Sequence, residues 1–248
     1  MNPMRKSLVF LLAITAALAQ EKTPPRKLRF LAVGDMPPFR QEIRDGVRYE
    51  LEAEPGTVPP RQIQIPAGEG KPLDTMLSLG SFSTSLTVPS GMTQVVLQTK
   101  QGEALVPWHQ VNIPAQGDSL VVLWRDPKKN TWEAARSAVI GDDLVAFPSG
   151  SVRLINILPT TARFLFAEQT IDITAGGLKV LPLTQATTPV QVSVLDAAQQ
   201  WRVVYQSAIT QNPGERGNVI LYRADGVSPR TPVKVLNLRE PAPAPPAP

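Results

Sequence analysis

Leu120-Val121-Val122-Leu123-Trp124-Arg125-Asp126 and Asn218-Val219-Ile220-Leu221-Tyr222-Arg223, the second with Asp225 shortly after, are two versions of one apolar segment. Three more pairs keep the same order along the chain. Leu28-Arg29-Phe30-Leu31-Ala32-Val33 matches Val152-Arg153-Leu154-Ile155-Asn156-Ile157. Ile63-Gln64-Ile65 before Ala67-Gly68 matches Ile171-Asp172-Ile173 before Ala175-Gly176, and Gln110-Val111-Asn112-Ile113 lies where Gln206-Ser207-Ala208-Ile209 does. Each match is short, but a kept order across four anchors marks an internal repeat. It predicts two tandem modules, 27–147 and 151–239, meeting at the turn Phe147-Pro148-Ser149-Gly150. The second is shorter. The extra length of the first is expected in Glu69 to Thr84, a Gly-, Ser- and Leu-rich segment that is either a loop elaboration or the place where the first module gains a function of its own.

Between the anchors the pattern has period two. Tyr49-Glu50-Leu51-Glu52-Ala53-Glu54 puts three carboxylates on one face and Tyr, Leu and Ala on the other. Arg61 to Ile65, Val190 to Val194 and Trp201 to Tyr205 alternate likewise. Alternation of this kind predicts strands with one buried and one wet face. Pro, Gly, Asn and Asp clusters separate the segments, as in Pro55-Gly56, Gly176-Gly177 and Asn212-Pro213-Gly214. No stretch after the first twenty residues sustains a helical period over three turns. Thr131 to Ile140 comes nearest, but its place in the repeat reads as a strand. The expected fold is all-β, two tandem immunoglobulin-like β-sandwich modules.

The opening of the second module, Val152-Arg153-Leu154-Ile155-Asn156-Ile157-Leu158-Pro159, with its later Ala175-Gly176 turn, resembles a family of exported bacterial β-sandwich modules of unknown function. The likeness covers about 90 residues and departs from the family's usual Ser before the Pro, here Leu158. It implies a sandwich and a surface location, and it carries no catalytic residue.

The N-terminus supplies an address. Arg5 and Lys6 precede an apolar run from Leu8 to Leu18 that ends in Ala17-Leu18-Ala19. This is the layout of a signal peptide cut after Ala19. The run is shorter than the roughly 20 residues that span a bilayer, so no stable membrane insertion is expected after cleavage. The chain is expected in the periplasm or outside the cell. Of 25 Lys and Arg against 21 Asp and Glu, removal of Arg5 and Lys6 leaves 23 and a net charge of +2. With basic residues scattered, nucleic acid is not an expected partner. Glu240 to Pro248 (EPAPAPPAP) is a Pro/Ala tail that favours extended polyproline II and is expected to be disordered.

The composition excludes several chemistries. With no Cys, thiol nucleophiles, iron–sulfur clusters and thiolate zinc sites cannot form. With one His, a multi-histidine metal site cannot form either. A Ser-His-Asp triad would need His109, which lies in a predicted strand, and no G-x-S-x-G elbow accompanies it. No Walker loop or G-x-G-x-x-G is present. No catalytic residue, cofactor or metal is therefore assigned. Glu50, Glu52 and Glu54 read as a solvated, salt-paired face, and Asp142-Asp143 as a polar turn. Trp108, His109, Trp132 and Trp201 form the candidate binding surface, since exposed indoles stack on sugars; Trp124 reads as a packing position because it aligns with Tyr222. The expected role is a non-catalytic envelope or extracellular protein that binds, adapts to or supports a protein or glycan partner. The alternatives are a carboxylate-dependent glycan hydrolase, which needs two facing carboxylates, and self-association through strand edges.

Overall fold

The computed structural model describes residues 25–244 except 69, 90, 130, 227 and 228. The expected signal peptide and the last four residues of the tail lie outside these; Glu240 and Pro241, expected as the start of a disordered tail, instead end the last strand. The described residues are all-β, with strands and turns and no helix.

The first half begins with β1 (Arg26–Val33), followed by β2 (Gln41–Arg44) and β3 (Val47–Glu50). Then come β4 (Gln62–Ile65), β5 (Leu73–Met76), β6 (Leu86–Val88), β7 (Gln94–Gln101), β8 (Ala104–Asn112), β9 (Ser119–Arg125) and β10 (Ala135–Gly141). The second half holds β11 (Ser151–Asn156), β12 (Ala162–Phe166), β13 (Gln169–Ile173), β14 (Leu178–Pro182), β15 (Thr187–Leu195), β16 (Trp201–Thr210), β17 (Glu215–Arg223) and β18 (Val233–Pro241). The stretch Thr131 to Ile140 ends in strand β10, as its place in the repeat predicts.

Each half builds two four-stranded sheets. The first has orders β10-β9-β1-β6 and β5-β4-β7-β8; the second has β18-β17-β11-β14 and β13-β12-β15-β16. Setting β2 and β3 aside, the eight strands of each half occupy the same places in the same order. The agreement reaches single residues. β1 and β9 pair in parallel with Arg29 opposite Leu120, and β11 and β17 pair in parallel with Arg153 opposite Asn218. Those are the partners the anchor alignment assigns. Both outer sheets also carry a bulge in the corresponding hairpin, after Leu97 in β7 and after Val192 in β15.

One anchor is misplaced in the sequence reading. By sheet position β4 corresponds to β12, and β13 to β5, so Ile63–Ile65 and Ile171–Ile173 are neighbouring arms of the hairpin and not equivalents. Any half-buried strand before a turn shows the same alternation, so the pattern cannot tell one arm from the next. The extra length is also relocated. The segment 69–84 contains β5, which has its counterpart in β13. The true excess lies at 34–61, between β1 and β4, where the second half uses only 157–161. It holds the β2–β3 hairpin, joined to no other sheet. Tyr49 to Glu54, expected as one half-buried strand, enters β3 only at Tyr49 and Glu50, with no buried residue in that strand.

Three apolar clusters hold the layers. Leu28, Phe30 and Ala32 of β1 meet Ile63, Ile65, Val95 and Leu97 between the sheets of the first half. Val152, Leu154, Val219 and Leu221 meet Phe164, Val190 and Val192 in the second. The alternate residues of the same inner strands face the other way. Leu31, Val33, Leu120, Val122 and Ile140 pack on Ile155, Ile157, Ile220 and Tyr222, with Leu236 and Leu238 against them. The inner strands are thus buried on both faces, which explains why β9, β11 and β17 read as continuous apolar runs. The two sandwiches stack back to back in four layers.

Candidate functional site

Because alternate side chains leave opposite faces of a strand, Arg29 on β1 and Arg153 on β11 point into the seam between the halves. Both guanidinium groups must be charged, so the seam has to supply carboxylates. Asp142, just past β10, and Glu240, near the end of β18, do so. Arg29 donates to Asp142 through Nε (2.5 Å) and Nη2 (3.1 Å), and to Glu240 through Nη2 (2.6 Å) and Nη1. Arg153 donates to Asp142 Oδ1 (3.3 Å), to the Gly141 carbonyl (2.7 Å) and to Asn218 Oδ1 (3.0 Å). Arg216 reaches Glu240 (3.2 Å) and the Asp142 carbonyl (2.8 Å). Arg153 and Arg216 both stack on the ring of Phe147, at 4.2 and 4.6 Å, so the residue that joins the halves plugs the cluster. The five side chains are between 1% and 12% exposed. Burial lowers the Arg153 pKa to about 10, partly offset by Asp142. Burial works against the Arg29 charge too, but the hydrogen bonds it donates to Glu240 and Asp142, with their negative charges, outweigh it and raise its pKa. Three guanidinium groups share two carboxylates here and all five groups are paired within the cluster, so this end of the seam is a staple.

The C-terminal ends of β1, β9, β11 and β17 converge on the other end of the seam, where the sheets leave an open cleft of about 270 Å³. Its lining includes Val33 and Ile157, Trp124 and Tyr222, and Pro127 and Pro159. Val33 with Ile157, and Trp124 with Tyr222, are repeat equivalents, so the cleft sits where the two copies of one position face each other. Arg125 Nη2 pairs with Asp225 Oδ1 at 2.7 Å along the wall. Asp35 accepts from the Tyr222 hydroxyl (3.1 Å), Lys234 Nζ (2.9 Å) and the Asp225 amide (3.1 Å). Burial alone would raise the Asp35 pKa; these three donors outweigh it and lower it. Burial, with Asp35 next in effect, holds the Tyr222 hydroxyl well above its ordinary pKa. Asp126 is held low by the Lys128 amide and by Arg136. Both carboxylates with displaced pKa values thus move away from what a proton donor needs.

The 34–61 insertion starts at this wall, since Val33 lines the cleft and Asp35 is bonded to Asp225. Asp45 and Gly46 both have positive φ, 51° and 78°, the geometry of a tight hairpin turn that favours Asp-Gly. Along the insertion Met36, Phe39, Ile43, Val47 and Tyr49 are each about half exposed or more. Glu54 pairs with Arg40 at 3.4 Å.

The four candidate residues from the sequence are not gathered there. Trp132 is 1% exposed in the first core, so it offers no ring to a ligand. Its carbonyl accepts from Trp108 Nε1 at 2.6 Å, and Trp108 packs half-buried on the same core. His109 bonds Ser137 at 2.9 Å, linking β8 to β10 and closing one side of the sandwich. Burial lowers its pKa. Trp201 lies in the second half, with the Arg163 guanidinium 4.1 Å over its ring and Arg163 paired to Asp172 at 2.7 Å. Three of the four therefore brace the first sandwich. Trp124, read as a packing residue, is half-buried: it packs on the seam and lines the cleft. Asp142, read as a turn, is the hub of the ionic cluster. The signal for that cluster was present, since Arg29 and Arg153 interrupt otherwise apolar runs at the same repeat position.

Among the described residues no group of three His, Cys, Asp or Glu side chains is placed to hold a metal ion. Comparison with known protein families finds no model that matches the chain, and comparison with curated proteins finds no relative.

Proposed function

We propose that this protein is an exported, non-catalytic binding or adaptor component of the cell envelope. Its two sandwiches act as one body, and the cleft end engages a protein or glycan partner. One observation carries the reading. The cleft and the root of the apolar insertion share one end of the seam, whereas the charged side chains at the other end are buried and paired within one cluster. Clefts between modules are a common place for ligands, and a run of exposed apolar residues on an otherwise polar surface marks an interaction site. The export reading rests on residues 1–19, and the resemblance of the second module to exported sandwich modules agrees with it.

The test is site-specific photo-crosslinking in the source organism. Probes at Phe39, Ile43 and Arg223 should capture one partner, and probes at Lys100 and Lys179 should not. Equal capture from all positions would refute the assignment. Mass spectrometry of the purified protein should find Gln20 as its first residue.

A further inference from the structure

We propose that the cleft takes the Pro/Ala tail of a second copy of this chain, so that molecules associate head to tail. The inference rests on the cleft being the binding surface, as read above, and names its occupant.

The cleft, open and about 270 Å³ in volume, suits an extended polyproline segment laid along it. Its lining brings Val33, Ile157, Pro127 and Pro159 together with the rings of Trp124 and Tyr222. That is the aromatic groove that polyproline II ligands use, at low entropic cost because the ligand is already extended. A proline-rich strand offers carbonyl oxygens and few N–H groups, so its groove must donate. Among the described residues neither the Trp124 nor the Arg223 side chain has a hydrogen-bond partner, and both line the cleft. Residues 241–248 carry no side-chain charge, which suits a wall whose Arg125 and Asp225 already pair.

Geometry selects a second copy. Glu240 lies opposite Arg216 in the β17–β18 ladder, and the cleft lies at Arg223. The seven intervening steps at about 3.3 Å separate tail root and cleft by roughly 23 Å. The tail also leaves in the wrong direction, since the Ala242 amide bonds the Gly214 carbonyl, beyond Glu215 on the far side of the staple. The four residues after Ala244 add at most about 14 Å. The segment cannot reach its own cleft. A tail at one end and a groove at the other is a heterologous pair, which builds chains or rings.

Sedimentation velocity over a range of concentrations tests this with the purified protein, a form ending at Ala242, and Trp124→Ala. The full chain should grow with concentration, and the two altered forms should stay monomeric. Mixed together, they should form a 1:1 complex and stop, because one keeps a groove and the other a tail. A peptide of residues 240–248 should change the tryptophan fluorescence of the truncated form, and Trp124→Ala should raise its Kd about tenfold or more. If circular dichroism shows Trp124→Ala unfolded, Pro159→Glu in the cleft lining replaces it. Identical sedimentation of full and truncated chains, with no response to the peptide, would overturn the proposal. If the crosslinking above still captures a partner at the cleft, the binding reading stands and only the tail is excluded.

Discussion

Replacing Asp142 by Asn removes one negative charge from the centre of the seam and changes almost no volume. In the native protein three guanidinium groups face two carboxylates, and Asp142 serves all three: Arg29 at 2.5 Å, Arg153 at 3.3 Å and Arg216 at 3.7 Å. After the change Glu240 alone remains, on the side of Arg29 and Arg216, and Arg153 loses its only carboxylate. Arg153 is 1% exposed, so water cannot take over the lost contact. Breaking a buried ion pair from one side costs about 3–5 kcal/mol, against a total stability of about 5–15 kcal/mol for a folded protein. For a chain of this size that is a fall in Tm of roughly 6–20 °C. Urea unfolding followed by tryptophan fluorescence measures it. Asp172→Asn serves as the control: Asp172 is 44% exposed, its pair with Arg163 is screened by solvent, and the midpoint should hardly move. Asp142→Asn and Glu240→Gln should be non-additive, since both act through Arg29. A loss below about 1 kcal/mol for Asp142→Asn would refute the argument, because the cluster would then be no more than a surface pair.

Three further outcomes follow from the same geometry. His109, the only histidine, is held below its ordinary pKa by burial; the unfolded chain therefore binds its proton first as pH falls, and stability should be fullest above about 6.5 and decline below it. His109→Gln should flatten the dependence of the urea midpoint between about pH 5 and 7. Ile220→Ala empties a fully buried position in the seam and should cost about 2–5 kcal/mol, as a shift of one common transition rather than the loss of one half. Limited trypsin digestion should cut first after Arg44 or Arg48, in the hairpin that pairs with no other sheet.

The sequence showed which strands repeat each other, since Val121 to Leu123 and Val219 to Leu221 are matching apolar runs; that they are inner strands, buried on both faces and so without polar alternation, came from the structure. Nor did the sequence show what the second buried face touches. An apolar run reads the same whether its outer face meets a helix, a second sheet or a copy of itself. The seam therefore came only from the structure, and with it the roles of Asp142 and Glu240. These lie 113 and 211 residues from Arg29 along the chain, and nothing local in Gly141-Asp142-Asp143 distinguishes a hub from a turn. The tryptophans misled for the opposite reason. Trp108 and Trp132 are large enough to advertise a surface, but the open side of a small sandwich needs bulky residues to seal it, and His109 with Ser137 completes that seal. The insertion escaped notice at 34–61 because its hairpin has the composition of an ordinary strand pair, with nothing beneath to bury.

That two sandwiches form a single body through one shared seam is tested most directly by scanning calorimetry of the intact protein. Shared burial of β1, β9, β11 and β17 predicts one peak, with calorimetric and van't Hoff enthalpies in a ratio of about one. Two resolved peaks, or one peak with a ratio of about two, would mean that the halves melt independently and that the seam does not join them.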